Sequence, residues 1–366
     1  MNRLRTLQAR GASLDLAVLA QEVANGVAFG SILALCAIGL TLVYGILNLS
    51  NFAHGDTLTL GAYVAPLFGT TLFLPASALV PTGLVAGAAL LAAALADRTW
   101  TRRLERGERI ALAGFGGLLV AAAAVLAVLG PGGAGSTTRV LAVATLLAVL
   151  AVVAFSLLAE VLVWRPLRRR GATVMSLVIA SLGLAILLRN AIQQGFGGDY
   201  RSLMRATDVA PSYFGVRLSN EQVLAIATTV VLVGLVHLFL TRSRSGKAMR
   251  ALADNRDLAR ACGVDVDRVV MHVWAIGGAL VAVAGVLLAL VQNNNVNVSM
   301  GFNILIPIFA AVVLGGVGSA YGAMAGGLVV GIAMRLGPAE YDLAWAFLVL
   351  IAVLLVRPQG ILGRKA

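Results

Sequence analysis

The chain has 366 residues, 60% of them hydrophobic and 12% charged, with a mean hydropathy of +0.93. Soluble domains carry roughly 25% charged residues, so a soluble fold is excluded and an all-α polytopic membrane protein is expected, because helices satisfy their own backbone groups in lipid. A net charge of +12 would suggest nucleic acid in a soluble domain, but here no nucleic-acid partner is needed, since cytoplasmic membrane loops are rich in Lys and Arg.

The N-terminal stretch MNRLRTLQARGASLD is basic and polar. It is read as a cytoplasmic segment, residues 1–17, and the apolar run behind it exceeds signal-peptide length and is expected to be retained. A hydrocarbon core of about 30 Å takes about 20 apolar residues per helix. Qualifying segments lie at 18–47, 56–74, 77–96, 110–130, 138–163, 174–194, 222–241, 270–291, 304–334 and 343–356, for about eight to ten crossings.

The first two segments flank a polar interruption. From Gly39 to Tyr63 the sequence GLTLVYGILNLSNFAHGDTLTLGAY breaks an apolar run with Asn48, Ser50, Asn51, His54, Gly55 and Asp56. Freed backbone groups at membrane depth survive only against protein or an aqueous cavity, so this break is expected to line a translocation path. Asp56 or Ser50 could cap the following half-helix, whose positive end suits a carboxylate. His54 either fixes the turn or contacts substrate.

Loop charge orients the chain. Arg165, Arg168, Arg169 and Arg170 form one basic cluster and residues 242–268 a larger one; both should be cytoplasmic, with the 195–221 and 292–303 loops outside. Arg3, Arg5 and Arg10 favour an inner N-terminus, yet five complete spans before Arg165 would place it outside. Either 18–47 and 56–74 share one discontinuous crossing, or the N-terminus is external and both are ordinary spans. Residues 97–109, with five arginines and three acids, should lie inside.

Parity fails again at the other end, where three full spans after Arg268 would leave Arg357, Arg364 and Lys365 outside. The suspect is 304–334, whose LGGVGSAYGAMAGG stretch contains Gly315, Gly316, Gly318 and Ser319. Glycine inside a helix costs about 1 kcal/mol relative to alanine, so a second break is expected; close packing through Gly322 and Gly326 is the other reading. Two interrupted segments suggest an inverted repeat, pairing 18–165 with 222–366. Glu160, Arg189 and His237 are read as snorkelling or packing residues. Cys36 and Cys262 form no disulfide framework, and no triad, metal site or cofactor is expected.

Between the basic residues of 241–267, SGKAMRALADNRDLARACGV reads as one or two short helices with Gly263 as a C-cap. Such a segment could also rest on anionic lipid. Gly246 and Lys247 do not make a P-loop, because the GxxxxGK[ST] spacing is absent and Ala248 follows; the chain itself should not bind ATP.

TLVYGILNLSNFAHGDTLTLGAY, RPLRRR, TRSRSGKAMRALADNRDLARACGVDVDRV, AAVVLGGVGSAYGAMAGGLVVGI and RPQGILGR occur in this order. Through them the chain resembles the permease subunits of bacterial branched-chain amino-acid ABC importers, in particular the NFAHG-containing member of the permease pair. The likeness covers about 300 of the 366 residues, and the 77–135 region looks like two added helices. The resemblance implies an inner-membrane importer with a second permease subunit, two cytoplasmic ATPases that bind the ATP, and an extracytoplasmic solute-binding protein. It also implies that 241–268 couples to the ATPase, with Gly246, Arg250, Ala251, Asp254, Asn255, Ala259 and Gly263 as the coupling residues. Rival readings are a urea or short-amide importer of the same architecture and an ion-coupled secondary transporter; an intramembrane enzyme lacks a catalytic constellation.

Overall fold

The computed structural model describes residues 2–69, 137–198, 201–202, 212–213, 216–292, 295–337, 341–357 and 359–363. The expected segments 77–96 and 110–130 and the basic stretch 97–109 lie outside the described residues. In chain order the first helices are α1 (Asn2–Leu47), α2 (Ala53–Gly69), α3 (Thr137–Ala159), α4 (Arg165–Arg169) and α5 (Val174–Phe196). Then come α6 (Asn220–Arg242), α7 (Arg244–Asp254), α8 (Arg256–Ala261) and α9 (Val266–Val291), followed by α10 (Met300–Gly315), α11 (Ala320–Leu336) and α12 (Asp342–Val356).

The helices gather into two compact units, one built from Met1–Ile46, Ala206–Asp254 and Ile304–Ala366, the other from Leu47–Arg205 and Asn255–Asn303. Each unit therefore draws on both of the expected repeats.

In the first unit, the apolar part of α1, Val18–Leu47, is 30 residues long, about 45 Å at 1.5 Å per residue. It needs no second half to complete a crossing. Ile32, Leu33, Leu35, Ile38 and Leu40 are all buried, which fits a helix apolar on every face. α6 opens with a capping box in which Ser219 and Gln222 satisfy each other's backbone N–H groups. It runs beside α1 in the same direction: Gln21 and Arg217 exchange two hydrogen bonds (2.7 and 2.8 Å), Gln222 donates to Asn25 (3.1 Å), and Thr229 donates to the Ser31 carbonyl (3.3 Å). α11 lies antiparallel on α1, with Gly331 against Gly30 and Gly327 against Ala34.

α10 and α11 form a tight antiparallel hairpin. Gly322 sits against Gly315 and Gly326 against Ala311, so closely that a Cβ on Gly326 would overlap the Ala311 carbonyl oxygen. Segment 304–334 therefore contains two helices of opposite direction, and the loop-charge parity is restored. The two readings of its glycines hold together: Gly316 and Gly318 take φ of +99° and +85° at the break, while Gly322 and Gly326 serve packing.

In the second unit, α9 packs on both α3 and α2, which also pack on each other. α9 runs antiparallel to α3, with Gly278 against Ser156 and Asp267 bonded to Arg165 at 2.6 Å. Between α3 and α4 the chain widens into a π-helical turn, Glu160–Trp164. Pro166 follows and has no N–H to offer the Leu162 carbonyl, a recognised cause of such a local change in helical register. α2 runs in the same direction as α5, meeting it at Phe52 and Ser181, Asp56 and Arg189, and Tyr63 and Phe196. Strand Arg201–Ser202 pairs antiparallel with Asn295–Val296, joining two loops that the charge pattern places outside.

Candidate functional site

At the first break α1 ends at Leu47, and Asn48 takes a left-handed conformation, φ +49°, which asparagine tolerates better than most residues. The interruption leaves backbone groups without helical partners. Asn51 takes up one of them, its Oδ1 accepting from the Ala53 N–H at 3.1 Å, while its carbonyl accepts from His54 N–H at 3.3 Å. Ser181 on α5 takes up others. Its Oγ accepts from the Phe52 N–H at 3.2 Å, and its proton is shared between the carbonyls of Val178 (2.7 Å) and Ser50 (3.3 Å).

The cap of α2 is thus Asn51, not Asp56 or Ser50. The Asp56 carboxylate instead forms a two-pronged ion pair with Arg189, through Nε at 2.8 Å and one Nη at 3.0 Å. The Arg189 guanidinium carbon also lies 4.2 Å from the Phe302 ring centre. Arg189 is therefore not a free snorkelling residue. Among the expected path residues, Asn51, His54, Gly55, Asp56, Gly315 and Gly316 are buried, Ser50 and Ser319 are half-buried, and Asn48 and Gly318 are exposed. Thr59 adds a further tie, accepting from the Gly301 N–H at 3.0 Å.

At the second break Ser319 caps α11, accepting from the Gly322 N–H, and Gly318 N–H donates to Thr41 Oγ1 at 2.9 Å. The C-terminal stretch closes the rest. Ile361 N–H donates to the Leu314 carbonyl (2.8 Å) and Leu362 N–H to that of Gly315 (3.0 Å), with Gly363 packed against Gly316. Residues 359–363 form a strap that satisfies the carbonyls at the end of α10.

The 241–267 segment forms two helices, α7 and α8. α8 is capped by Asn255, whose side chain accepts from Leu258 N–H. It ends in a Schellman motif, with Val264 N–H on the Ala259 carbonyl, Gly263 N–H on that of Arg260, and Gly263 at φ +83°. Of the expected coupling residues, Arg250, Ala251, Asp254, Asn255 and Gly263 are exposed, whereas Gly246 and Ala259 are buried. Gly246 packs against the α6 backbone at Leu240, so its smallness serves this chain's own fold.

Glu160 is buried in the π-helical turn. Its carboxylate pairs with both Nη groups of Arg168 and accepts from the Trp274 indole N–H at 2.7 Å. Trp274 stacks on Trp164 with ring centres 6.0 Å apart. Glu160 is a buried, fully engaged anion and does not snorkel. His237, expected to snorkel or to serve packing, meets the Tyr321 hydroxyl at 2.6 Å on an exposed face.

A family model described as "Branched-chain amino acid transport system / permease component" matches residues 23–105 and 106–357. Both breaks, the Asp56 and Arg189 pair and the α7–α8 segment fall within these ranges. The chain belongs to this permease family. Among curated relatives, the high-affinity branched-chain amino acid transport system permease protein LivH of Escherichia coli K12 is 33% identical over 353 residues, covering 94% of this chain and 95% of LivH. BraD of Pseudomonas aeruginosa, described in the same words, is 31% identical over 356 residues, covering 94% and 95%. A probable branched-chain amino acid transport permease, LivH of Methanocaldococcus jannaschii, is 28% identical over 365 residues, covering 93% and 91%. No solved structure matches the chain.

Within this permease, residue patterns did not reveal Ser181, Arg189 or the C-terminal strap as parts of the breaks. Arg189 carried a signal, as a lone arginine inside an otherwise apolar helix, which by default marks a functional position with a partner. Ser181 carried none. Leu258 was also missed; it is 62% exposed on α8, an apolar side chain on an otherwise polar segment.

Proposed function

We propose that this permease forms one membrane-embedded half of an ATP-driven importer that moves branched-chain amino acids into a bacterial cell. The match of nearly the whole chain to branched-chain amino-acid permeases carries this reading. A second permease subunit, two cytoplasmic ATPases and an extracytoplasmic solute-binding protein complete the assembly in the inner membrane. ATP is bound and hydrolysed by the ATPases, and this chain performs no catalysis.

The basic loops set the orientation, with Arg165 to Arg170 and α7–α8 facing the cytoplasm. Because α1 runs with α6 and Gln21, near the start of its apolar part, is bonded to Arg217, that end of the apolar part then faces outward, the alternative that loop parity also allows. α2 runs outward with α5, so the first break joins an inward-running helix to an outward-running one. Ser181 is eight residues past Thr173, about 12 Å along α5, which sets the break in the inner half of the membrane.

Arg250, Ala251, Asp254, Asn255 and Leu258 supply the exposed contacts for ATPase coupling, and the two breaks border the substrate path. The deciding experiment is uptake of radiolabelled leucine by the complete complex, competed by isoleucine, valine, urea and proline. Branched-chain competitors should block uptake, and inactivating the ATPases should abolish it. Uptake that survives ATPase inactivation but collapses with a protonophore would mark a secondary transporter, and competition by urea alone would mark an amide importer.

A further inference from the structure

We propose that Arg189 is a carboxylate-binding contact for the amino-acid substrate, near the outward end of the translocation path. The proposal rests on the amino-acid import reading above. Arginine offers five N–H donors, and Asp56 engages only Nε and one Nη. The pair is also lopsided: the Asp56 side chain is fully buried, while that of Arg189 is 25% exposed. A pair that served packing alone would be expected to shield both charges, since an open guanidinium edge at membrane depth is costly unless it faces water or a polar partner.

The guanidinium is also held in place. Asp56 fixes one edge in a planar, two-pronged geometry, and the Phe302 ring lies against the guanidinium plane. Its remaining N–H groups are therefore preorganised, and arginine's fork matches a carboxylate better than lysine's point charge does. Arg189 is seven residues before the end of α5 at Phe196, about 10 Å below that end. Phe302 is itself 47% exposed and continues the site as apolar surface. A cationic edge beside an aromatic face fits a ligand with a carboxylate and a hydrocarbon side chain. It gives no comparable hold to an uncharged amide.

The test places a cysteine at the exposed neighbour, Asn190→Cys, in a Cys262→Ser background, with Cys36 buried. The complete complex in right-side-out vesicles is labelled with a membrane-impermeant maleimide, with isovalerate or isoamylamine present and no binding protein added. Isovalerate should slow labelling and isoamylamine should not. In Arg189→Gln the isovalerate concentration for half protection should rise about tenfold or more, the equivalent of one charge-assisted hydrogen bond. Equal protection by the amine, or protection unchanged in Arg189→Gln, would overturn the proposal. If Arg189→Gln fails to assemble, the isovalerate and isoamylamine comparison in the parent protein decides alone. A complex that is protected by isovalerate yet imports no branched-chain amino acid would sink the import reading and leave the carboxylate site standing.

Discussion

The hydroxyl of Ser181 accepts the Phe52 N–H at 3.2 Å across 129 residues of sequence, and so supplies a partner that the interrupted helix has lost. Ser181 is itself fully buried, so no water can substitute. Ser181→Ala removes this acceptor and the hydrogen bond with it, at a cost of about 0.5–1.5 kcal/mol. Thermal unfolding of the purified complex should show this loss, with uptake reduced in step. Ser181→Thr, which keeps an acceptor at the same position, should lie closer to the parent, and equal stability of the alanine and serine proteins would remove Ser181 from the break.

Gly326 and Ala311 allow a second prediction. The α10–α11 hairpin leaves no room for a Cβ at Gly326, and the obstacle is the Ala311 backbone oxygen, which cannot swing aside like a side-chain tip. Gly326→Ala should therefore destabilise the hairpin by at least the roughly 1–3 kcal/mol typical of overpacking. The intrinsic helix preference of alanine, worth about 1 kcal/mol, acts in the opposite direction and is too small to rescue it. Alanine at exposed Gly183 on α5, where a Cβ would meet nothing, should stabilise or be neutral. Comparable yields and melting points for the two variants would contradict the hairpin packing.

These two cases also show how far the sequence could be read. Among the described residues, hydropathy and loop charge located the long apolar helices and both breaks, because a polar or glycine-rich gap in an apolar run is a local signal. They could not assign partners, since Ser181 and the C-terminal strap reach the breaks from distant parts of the chain. Asp56 looks like a helix cap because it stands in the first turn of α2, yet Arg189, 133 residues away in sequence, claims it. Ala259 looked available to an ATPase because a six-residue helix has too few turns for periodicity to say which side is covered. Gly263 was legible, as a glycine after a short helix has one common use, the left-handed C-cap.

Glu160 anchors the C-terminal end of α3 through Arg168 and Trp274. Removing one member of a buried pair leaves an uncompensated charge, a loss of about 3–5 kcal/mol. Glu160→Ala should show it, stranding Arg168 and the Trp274 N–H together. Glu160→Met combined with Arg168→Met should recover much of the stability, because the charge and its partner leave together. A double variant no better than Glu160→Ala in thermal unfolding would indicate that Arg168 has a separate task.

Leu258 lies on α8, in the segment proposed to couple to the ATPases, and its side chain is mostly exposed. Leu258→Glu should leave the permease folded but weaken co-purification of the ATPases and lower uptake. By contrast, Ala259→Glu should act through misfolding, because Ala259 is buried within the permease. Circular dichroism melting of the isolated permease separates the two. Undiminished ATPase capture by Leu258→Glu would place the docking face elsewhere.

Gln21 and Arg217 hold the start of the apolar part of α1 against the segment that enters α6, and α6 ends at the basic α7. Whichever side of the membrane carries Arg217 must also carry Gln21, and Gly45, which lies against Gly318, belongs at the other end of the same helix. Cysteines at Gln21 and Arg217, again with Cys262→Ser, should react together with an impermeant maleimide added outside intact cells. A cysteine at Arg250 should react only after the membrane is opened. The local arginines Arg3, Arg5 and Arg10 argue for the reverse placement of the N-terminus, but each is a weak determinant against a helix direction fixed by hydrogen bonds at both Gln21 and Asn25. If Gln21 is protected from outside while Arg217 is labelled, α1 and α6 cannot run in the same direction, and the external N-terminus is refuted.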